Sequence, residues 1–299
     1  MAKLTLTPEL LGQPARLVAR SLGRLHLLKV LEEAARLVTE DDPETVHDFR
    51  VALRRLRSWL KAFRPLLDDT VSGSSERRMR RLSRVAGDAR DLQVQCESLR
   101  GIGESGNAAL AREAHRIERR LGKEEGRARS KLLQKVVEDL PVSAAKLAAQ
   151  LKQAERAPGG MPATEPTAAV AMAQLLAERL VEMESSLRRL KRPGHTELAH
   201  QARIATKRLR YLLEAFGSSS RLAATAALRL AEVQDEFGRL HDAQLLARRI
   251  SRAKPVLRSR IRREIGASSR EAFRLSRSRD IRNAEDATAR LIRRLELRS

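Results

Sequence analysis

Apolar positions along the chain recur at steps of three and four, and no stretch alternates apolar and polar with a strand's period of two, so the pattern predicts helix throughout. Leu, Ala, Arg and Glu dominate and β-branched residues are sparse, which favours helix on propensity as well. Thr7 is placed to cap a first helix that Pro8 opens and that runs to about Val38, where "EDDPET" breaks it. Further helices are predicted over about 44–64, 74–100, 106–121, 123–138, 142–156, 167–191, 195–216, 219–236, 239–253, 255–275 and 284–297. The stretch "RAPGGMPATEPT", with two Gly and three Pro, cannot continue a helix. The predicted organisation is a helical half over 1–155, a linker over 156–167 and a second helical half over 168–299.

The halves resemble each other. "VHDFRVALRRLRSWLKAF" (46–63) aligns with "AHQARIATKRLRYLLEAF" (199–216) at an offset of 153, pairing His47 with His200, Arg50 with Arg203, Arg54 with Lys207, Arg55 with Arg208, Arg57 with Arg210 and Phe63 with Phe216. "GDARDLQ" (87–93) aligns with "GRLHDAQ" (238–244) at an offset of 151, pairing Asp91 with Asp242 and Gln93 with Gln244. Two matched blocks in one order at one spacing point to a tandem duplication. The fold expected is all-α, two helical bundles related by a pseudo-twofold axis, with a basic groove or pore between them.

On the first matched helix Val46, Phe49, Leu53, Leu56, Leu60 and Phe63 step 3, 4, 3, 4, 3 and form a core seam. His47, Arg50, Arg54, Arg57, Lys61 and Arg64 follow one residue later, about 100° around the helix, beside the seam and not opposite it. The second helix repeats this with His200, Arg203, Lys207 and Arg210, but Glu214 stands where Lys61 stands, so its stripe ends a turn sooner. No acid interrupts the basic core of either stripe, and the repulsion asks for a bound polyanion. Arginine, which dominates, can engage two phosphate oxygens at once. Two further features bear on the site. Arg77, Arg81 and Arg84 share a face before Asp91, and are candidate anion contacts together with Arg90. Asp91 and Asp242 are read as structural groups that orient stripe arginines through bidentate pairs.

Composition narrows the partner. The chain has 299 residues, 60 Lys plus Arg against 38 Asp plus Glu, and a net charge of +22, while 42 % of it is hydrophobic, enough to bury a core. Aromatic residues are only 2 %, too few for the stacking platforms of single-strand readers. From Arg248 to Ser299 there are 17 basic and 6 acidic residues, read as field strength that steers anions inward. Cys96 is the sole cysteine, which excludes an intramolecular disulfide and a Cys-cluster zinc site and suits a reducing cytoplasm. No apolar run reaches membrane-span length, and "MAKLTLTPELL" lacks the apolar centre of a signal peptide.

A helix reading H-x-x-R-x-x-x-R/K-R-L-R, present twice and each time followed by a G-x-x-R/H-D-x-Q-type turn, resembles the CHAD family, the conserved histidine α-helical domain. The resemblance covers the chain from about residue 10 onward. It implies an all-α domain that binds inorganic polyphosphate through a basic groove and associates with polyphosphate granules in the cytoplasm. It carries the family's histidine and basic binding positions onto His47, Arg50, Arg54, Arg55 and Arg57 and onto His200, Arg203, Lys207, Arg208 and Arg210, and its turn residues onto Arg90 and Asp91 with their counterparts His241 and Asp242, although His241 replaces the expected Arg. Some members carry an additional catalytic domain rich in E-x-E-x-K strands; no such segment is seen in this sequence, so no phosphatase activity is borrowed.

The histidines have two readings that residues alone leave open: donors to phosphate at the end of each stripe, or groups that fix a neighbouring helix. A metal is not expected, because their i+3 and i+7 neighbours are cations. No cofactor and no catalytic residue is expected either, since no nucleophile with a base, carboxylate pair or phosphate loop accompanies them. His26, His115 and His195 lack repeat partners and read as ordinary surface or loop residues. The expected function is non-enzymatic polyphosphate binding; the alternatives are a nucleic-acid-binding helical protein and, third, a phosphate-transferring or polyphosphate-hydrolysing enzyme.

Overall fold

The computed structural model describes residues 5–68, 70–153 and 165–297. Among these the chain is all-α: α1 (Pro8–Leu11), α2 (Ala15–Thr39), α3 (Glu44–Ala62), α4 (Arg64–Leu67), α5 (Gly73–Gly103), α6 (Ala108–Gln153), α7 (Ala168–Arg189), α8 (Thr196–Glu214), a 3-10 turn at Gly217–Ser219, α9 (Arg221–Arg249), α10 (Pro255–Leu275) and α11 (Arg279–Glu296). Most of the predicted linker lies outside the described residues.

Capping residues start the helices where the sequence supplies a hydroxyl. Ser72, Thr167, Ser220 and Ser278 each accept from a backbone N–H in the first turn of α5, α7, α9 and α11. Thr7 and Pro8 open α1 as expected, but this helix is one turn long. Gly12 and Pro14 interrupt it, and the freed backbone pairs elsewhere, with Ala168 N–H donating to the Gln13 carbonyl at 2.8 Å and Ala15 N–H to Pro166 at 3.0 Å.

Two regions are more continuous than the pattern predicts. Residues 108–153 form one helix of 46 residues with Pro141 inside it, where three helices were expected. An interior Pro costs about 3 kcal/mol. Here Leu132, Val136, Leu140, Ala144, Leu147 and Leu151 run buried past it at steps of four and three, while Pro141 itself faces solvent. Burying each large apolar side chain recovers roughly 1.5–3 kcal/mol, so packing outweighs the local break. Likewise α9 runs unbroken through Gly238, because Leu230, Val233, Phe237, Leu240, Ala243 and Leu246 form a single buried stripe.

Helix α6 lies along α5 and touches α2; α10 and α11 divide the corresponding role against α9, with α11 reaching α7. Across the middle of the molecule α2 meets α7, α3 meets α8 and α5 meets α9. The helices paired by sequence, α3 with α8 and α5 with α9, therefore also touch. The main core takes in both halves, including the predicted seams of α3 and α8, with Phe49, Leu53, Leu209 and Leu213 fully buried. A second cluster joins the far ends of α5 and α6 to the end of α9 and the start of α10 through Leu99, Ile117, Leu246 and Leu257.

Candidate functional site

The α3–α8 contact places the two basic stripes against each other. Arg50, Arg54, Arg203 and Lys207 lie half-buried within one another's fields. Burial, reinforced by Arg203, Arg54 and Arg50, pushes the Lys207 ammonium down to about 7. Burial also lowers Arg54 to about 10, with Arg50, Arg203 and Arg210 adding to the fall, and it lowers Arg203. The Nε atoms of Arg54 and Arg203 are buried without a hydrogen-bond partner, as are those of Arg55 and Arg210, but only the latter two have a carboxylate within ion-pair distance. The site is therefore a group of cations short of anionic partners.

Acids at its edge compensate only partly. Arg50 stands 3.6 Å from Asp91, a single contact and not the bidentate pair the sequence suggests. Burial outweighs neighbouring arginines at Asp91 and Asp242 and raises both carboxyls above their ordinary value. The G-x-x-R/H-D-x-Q segments are not turns but lie inside α5 and α9. Their glutamines secure the starts of the stripe helices: Gln93 donates to the Pro43 carbonyl at 3.0 Å, and Gln244 to the Thr196 hydroxyl at 3.5 Å.

The histidines sit at the N-terminal end of the cluster. His47 is half-buried, and burial with the Arg90 charge lowers its pKa. His200 is lowered by burial and Arg203. Its ring lies 5.3 Å from that of His241, which burial, Arg203 and His200 itself hold down to about 4. His241 thus joins the cluster where its counterpart Arg90 turns to acids, at 3.4 Å from Glu44 and 3.6 Å from Glu97. Among the described residues no group of three His, Cys, Asp or Glu could hold a metal ion.

Other predicted contacts are dispersed. Arg57 donates to the Ser83 hydroxyl at 2.8 Å, and burial with the charges of Arg80 and Arg84 lowers its pKa. Arg77 is exposed, and Arg81 lines a surface hollow with Glu138 and Asp139. Arg55 pairs with Glu214 at 2.9 Å, Arg208 with Glu182, and Arg210 with Glu214 at 3.4 Å. Acids absent from the basic core of the stripes thus reach them from the helix ends and from α7.

Arg55, Arg208 and the exposed Lys61 border a cavity of about 290 Å³ between α2, α3, α7 and α8. Its lining consists of residues 153 apart: His26 and Arg179, Arg55 and Arg208, Ser58 and Tyr211, Trp59 and Leu212, Lys61 and Glu214, Ala62 and Ala215. His26 is consequently no surface residue; its ring is 5.5 Å from Trp59, and burial and Arg55 lower it to about 4. Between cavity and cluster stands Tyr211, with the Arg54 and Arg210 guanidinium carbons 5.4 and 5.5 Å from its ring centroid. The sequence signal for Tyr211 is slight: it is the only tyrosine and follows the matched Arg-Leu-Arg where Ser58 stands in the first copy.

The family model described as the CHAD domain matches residues 22–251. The chain belongs to the CHAD family. The fold of this CHAD domain is similar to the crystal structure of the CHAD domain from the plant Ricinus communis, at 21% identity and a TM-score of 0.67, covering 95% of this chain and 94% of that one. It is also similar to PptA from Streptomyces chartreusis, at 20% identity and a TM-score of 0.66, covering 88% of this chain and 99% of that one. At such identities the likeness establishes the CHAD fold. No curated protein matches. The family match contains the whole cation cluster and stops before α10. Among the described residues no helix of the domain is long and apolar enough to cross a membrane.

Proposed function

We propose that this CHAD domain binds inorganic polyphosphate without chemical turnover, through Arg50, Arg54, Arg203 and Lys207, with His47, His200 and His241 at the entrance and Arg57 and Arg210 flanking. The observation that carries the reading is the half-buried, undercompensated cation cluster on the α3–α8 contact. Desolvating four cations is unfavourable unless an anion completes the site. A linear phosphate polymer supplies closely spaced anionic oxygens without the bases that aromatic platforms would hold. Arg55, Arg208 and Lys61 belong on this reading to the cavity and not to the phosphate contacts.

We propose further that the two halves descend from a tandem duplication. The 153-residue spacing across the whole cavity lining supports it, as do the contacts of α3 with α8 and α5 with α9, which is how a local twofold places equivalent surfaces. Association with polyphosphate granules in the cytoplasm follows from the binding reading and is part of the same proposal.

A second reading, nucleic-acid binding, draws on the exposed arginines of α10 and α11, among them Arg260, Arg262, Arg263 and Arg293. Competition separates the two. Immobilised protein is challenged with polyphosphate, DNA, heparin-like sulfate and nucleotides at several salt concentrations. Polyphosphate is expected to displace DNA at modest concentration while DNA fails to displace polyphosphate; the reverse order overturns the proposal. Orthophosphate release from pure protein with Mg²⁺ or Mn²⁺ would establish an enzymatic activity instead.

A further inference from the structure

The cavity and the cation cluster share the α3–α8 contact, and two of the positions at which the sequences of α3 and α8 differ lie on the boundary between them. Ser58 on α3 corresponds to Tyr211 on α8, and Lys61 to Glu214. Ser and Lys on both helices would leave small hydroxyls and ammonium groups at this boundary. This chain instead places a buried tyrosine ring beside Arg54 and Arg210. It also places a carboxylate that binds Arg55 at 2.9 Å and Arg210 at 3.4 Å, spanning the contact between helices. Beyond them, Glu182 takes up the charge of both Arg208 and Arg179. On the cavity side Arg55, Arg208 and Arg210 thus each reach a protein carboxylate, although the Nε atoms of Arg55 and Arg210 stay without a hydrogen-bond partner, whereas among the described residues Arg54, Arg203 and Lys207 on the cluster side make no ion pair.

Resting on the polyphosphate reading, we infer that Tyr211 and Glu214 close the cation cluster at its cavity end, so that a polyphosphate chain enters and leaves by the His47 and His200 end and does not thread through. The ring obstructs the path sterically, and the Glu214 carboxylate repels phosphate from the remaining opening. A phosphate polymer held this way is gripped near a terminus or as a bent segment, and the cavity stays free of it.

Trp59, the only tryptophan, lines the cavity and not the cluster, so its emission reports on passage. In the full chain saturated with long polyphosphate, Trp59 emission is expected to match that of the free protein. In the variant Tyr211→Ser with Glu214→Lys, which restores the α3 residues on α8, the same titration is expected to shift or quench it. A change in the wild-type protein overturns the inference. So does an unresponsive Trp59 in a folded variant that retains polyphosphate.

Should circular dichroism show the variant unfolded, amine acylation of the wild-type protein decides. Polyphosphate is expected to protect Lys207 and leave Lys61 as reactive as before. Protection of both lysines overturns closure, while protection of neither, with no retention of polyphosphate, overturns the binding reading itself.

Discussion

The Arg50 guanidinium approaches the Asp91 carboxylate no closer than 3.6 Å, and burial raises the Asp91 pKa despite that cation. The carboxylate lowers the local potential without engaging the arginine fork, so it competes with an incoming phosphate while leaving Arg50 free to turn toward it. Asp91→Asn is expected to tighten polyphosphate binding about fivefold, on the order of 1 kcal/mol for one like charge removed near the ligand. Because ionised Asp91 is disfavoured in the fold, the change is expected to leave the melting temperature level or slightly higher. Calorimetric titration and a thermal melt test both; weaker binding would make Asp91 a positioning group instead.

Arg54 is expected to trade stability against binding. Its guanidinium is half-buried on Tyr211, its Nε lacks a partner, and burial lowers its pKa to about 10. Arg54→Met keeps the length of the side chain and removes a poorly solvated charge. Such replacements stabilise by about 1 kcal/mol or more. Urea unfolding is expected to show that gain while polyphosphate affinity falls at least about tenfold, the loss of one charge-assisted contact. A variant that loses stability and keeps affinity would place Arg54 in the scaffold and outside the site.

Pro141 provides a purely structural check. It sits exposed inside α6 with the buried stripe continuing on either side, so the helix is held by its packing on α5 and α2 and not by local preference. Pro141→Ala restores a backbone donor, and the propensity difference is about 3 kcal/mol at most. A gain of about 1–3 kcal/mol is expected in denaturant unfolding with no effect on polyphosphate binding. No gain, or a loss, would show that the surrounding helices are fitted to a bend at that residue.

Pro141 also illustrates what could be read without coordinates. The seam of α3, its repeat on α8 and the stripe beside each were legible because a 3.6-residue period fixes which side chains share a face. Helix breaks were overcalled at Pro141, Gly122 and Gly238, where local propensity lost to a core stripe contributed by distant helices. The pairing of the stripes was legible through the repeat, but the partition of their arginines was not. Arg54 and Arg55 are adjacent in sequence, yet one joins the cluster and the other pairs with Glu214, and only the crossing of α3 on α8 decides this. His26 and Tyr211 escaped for the same reason, since neither repeats as the same residue type.

Proton linkage gives the sharpest signature of the cluster. Lys207 is lowered to about 7, His241 to about 4, and His47 and His200 are lowered as well, all chiefly by burial among cations. Depressed pKa values mean that the unfolded chain holds more protons, so stability of the free protein rises with pH. The His241 contribution is present above its unfolded value near 6.5 and is lost as pH falls through about 4. The Lys207 contribution grows as pH rises from about 7 toward the ordinary lysine value of 10.5. Bound polyphosphate reverses the cause, because anionic oxygens favour the charged forms. Binding then takes up protons, and affinity falls as pH rises, by up to about tenfold per pH unit for each proton taken up. Calorimetric titration at about pH 8 in two buffers of different ionisation enthalpy is expected to show uptake approaching one proton at Lys207. Lys207→Met is expected to abolish that uptake while the histidine-linked uptake near pH 6 persists. Affinity that is flat between about pH 5 and 8.5, with melts that rise over the same range, would place the bound phosphates away from these groups.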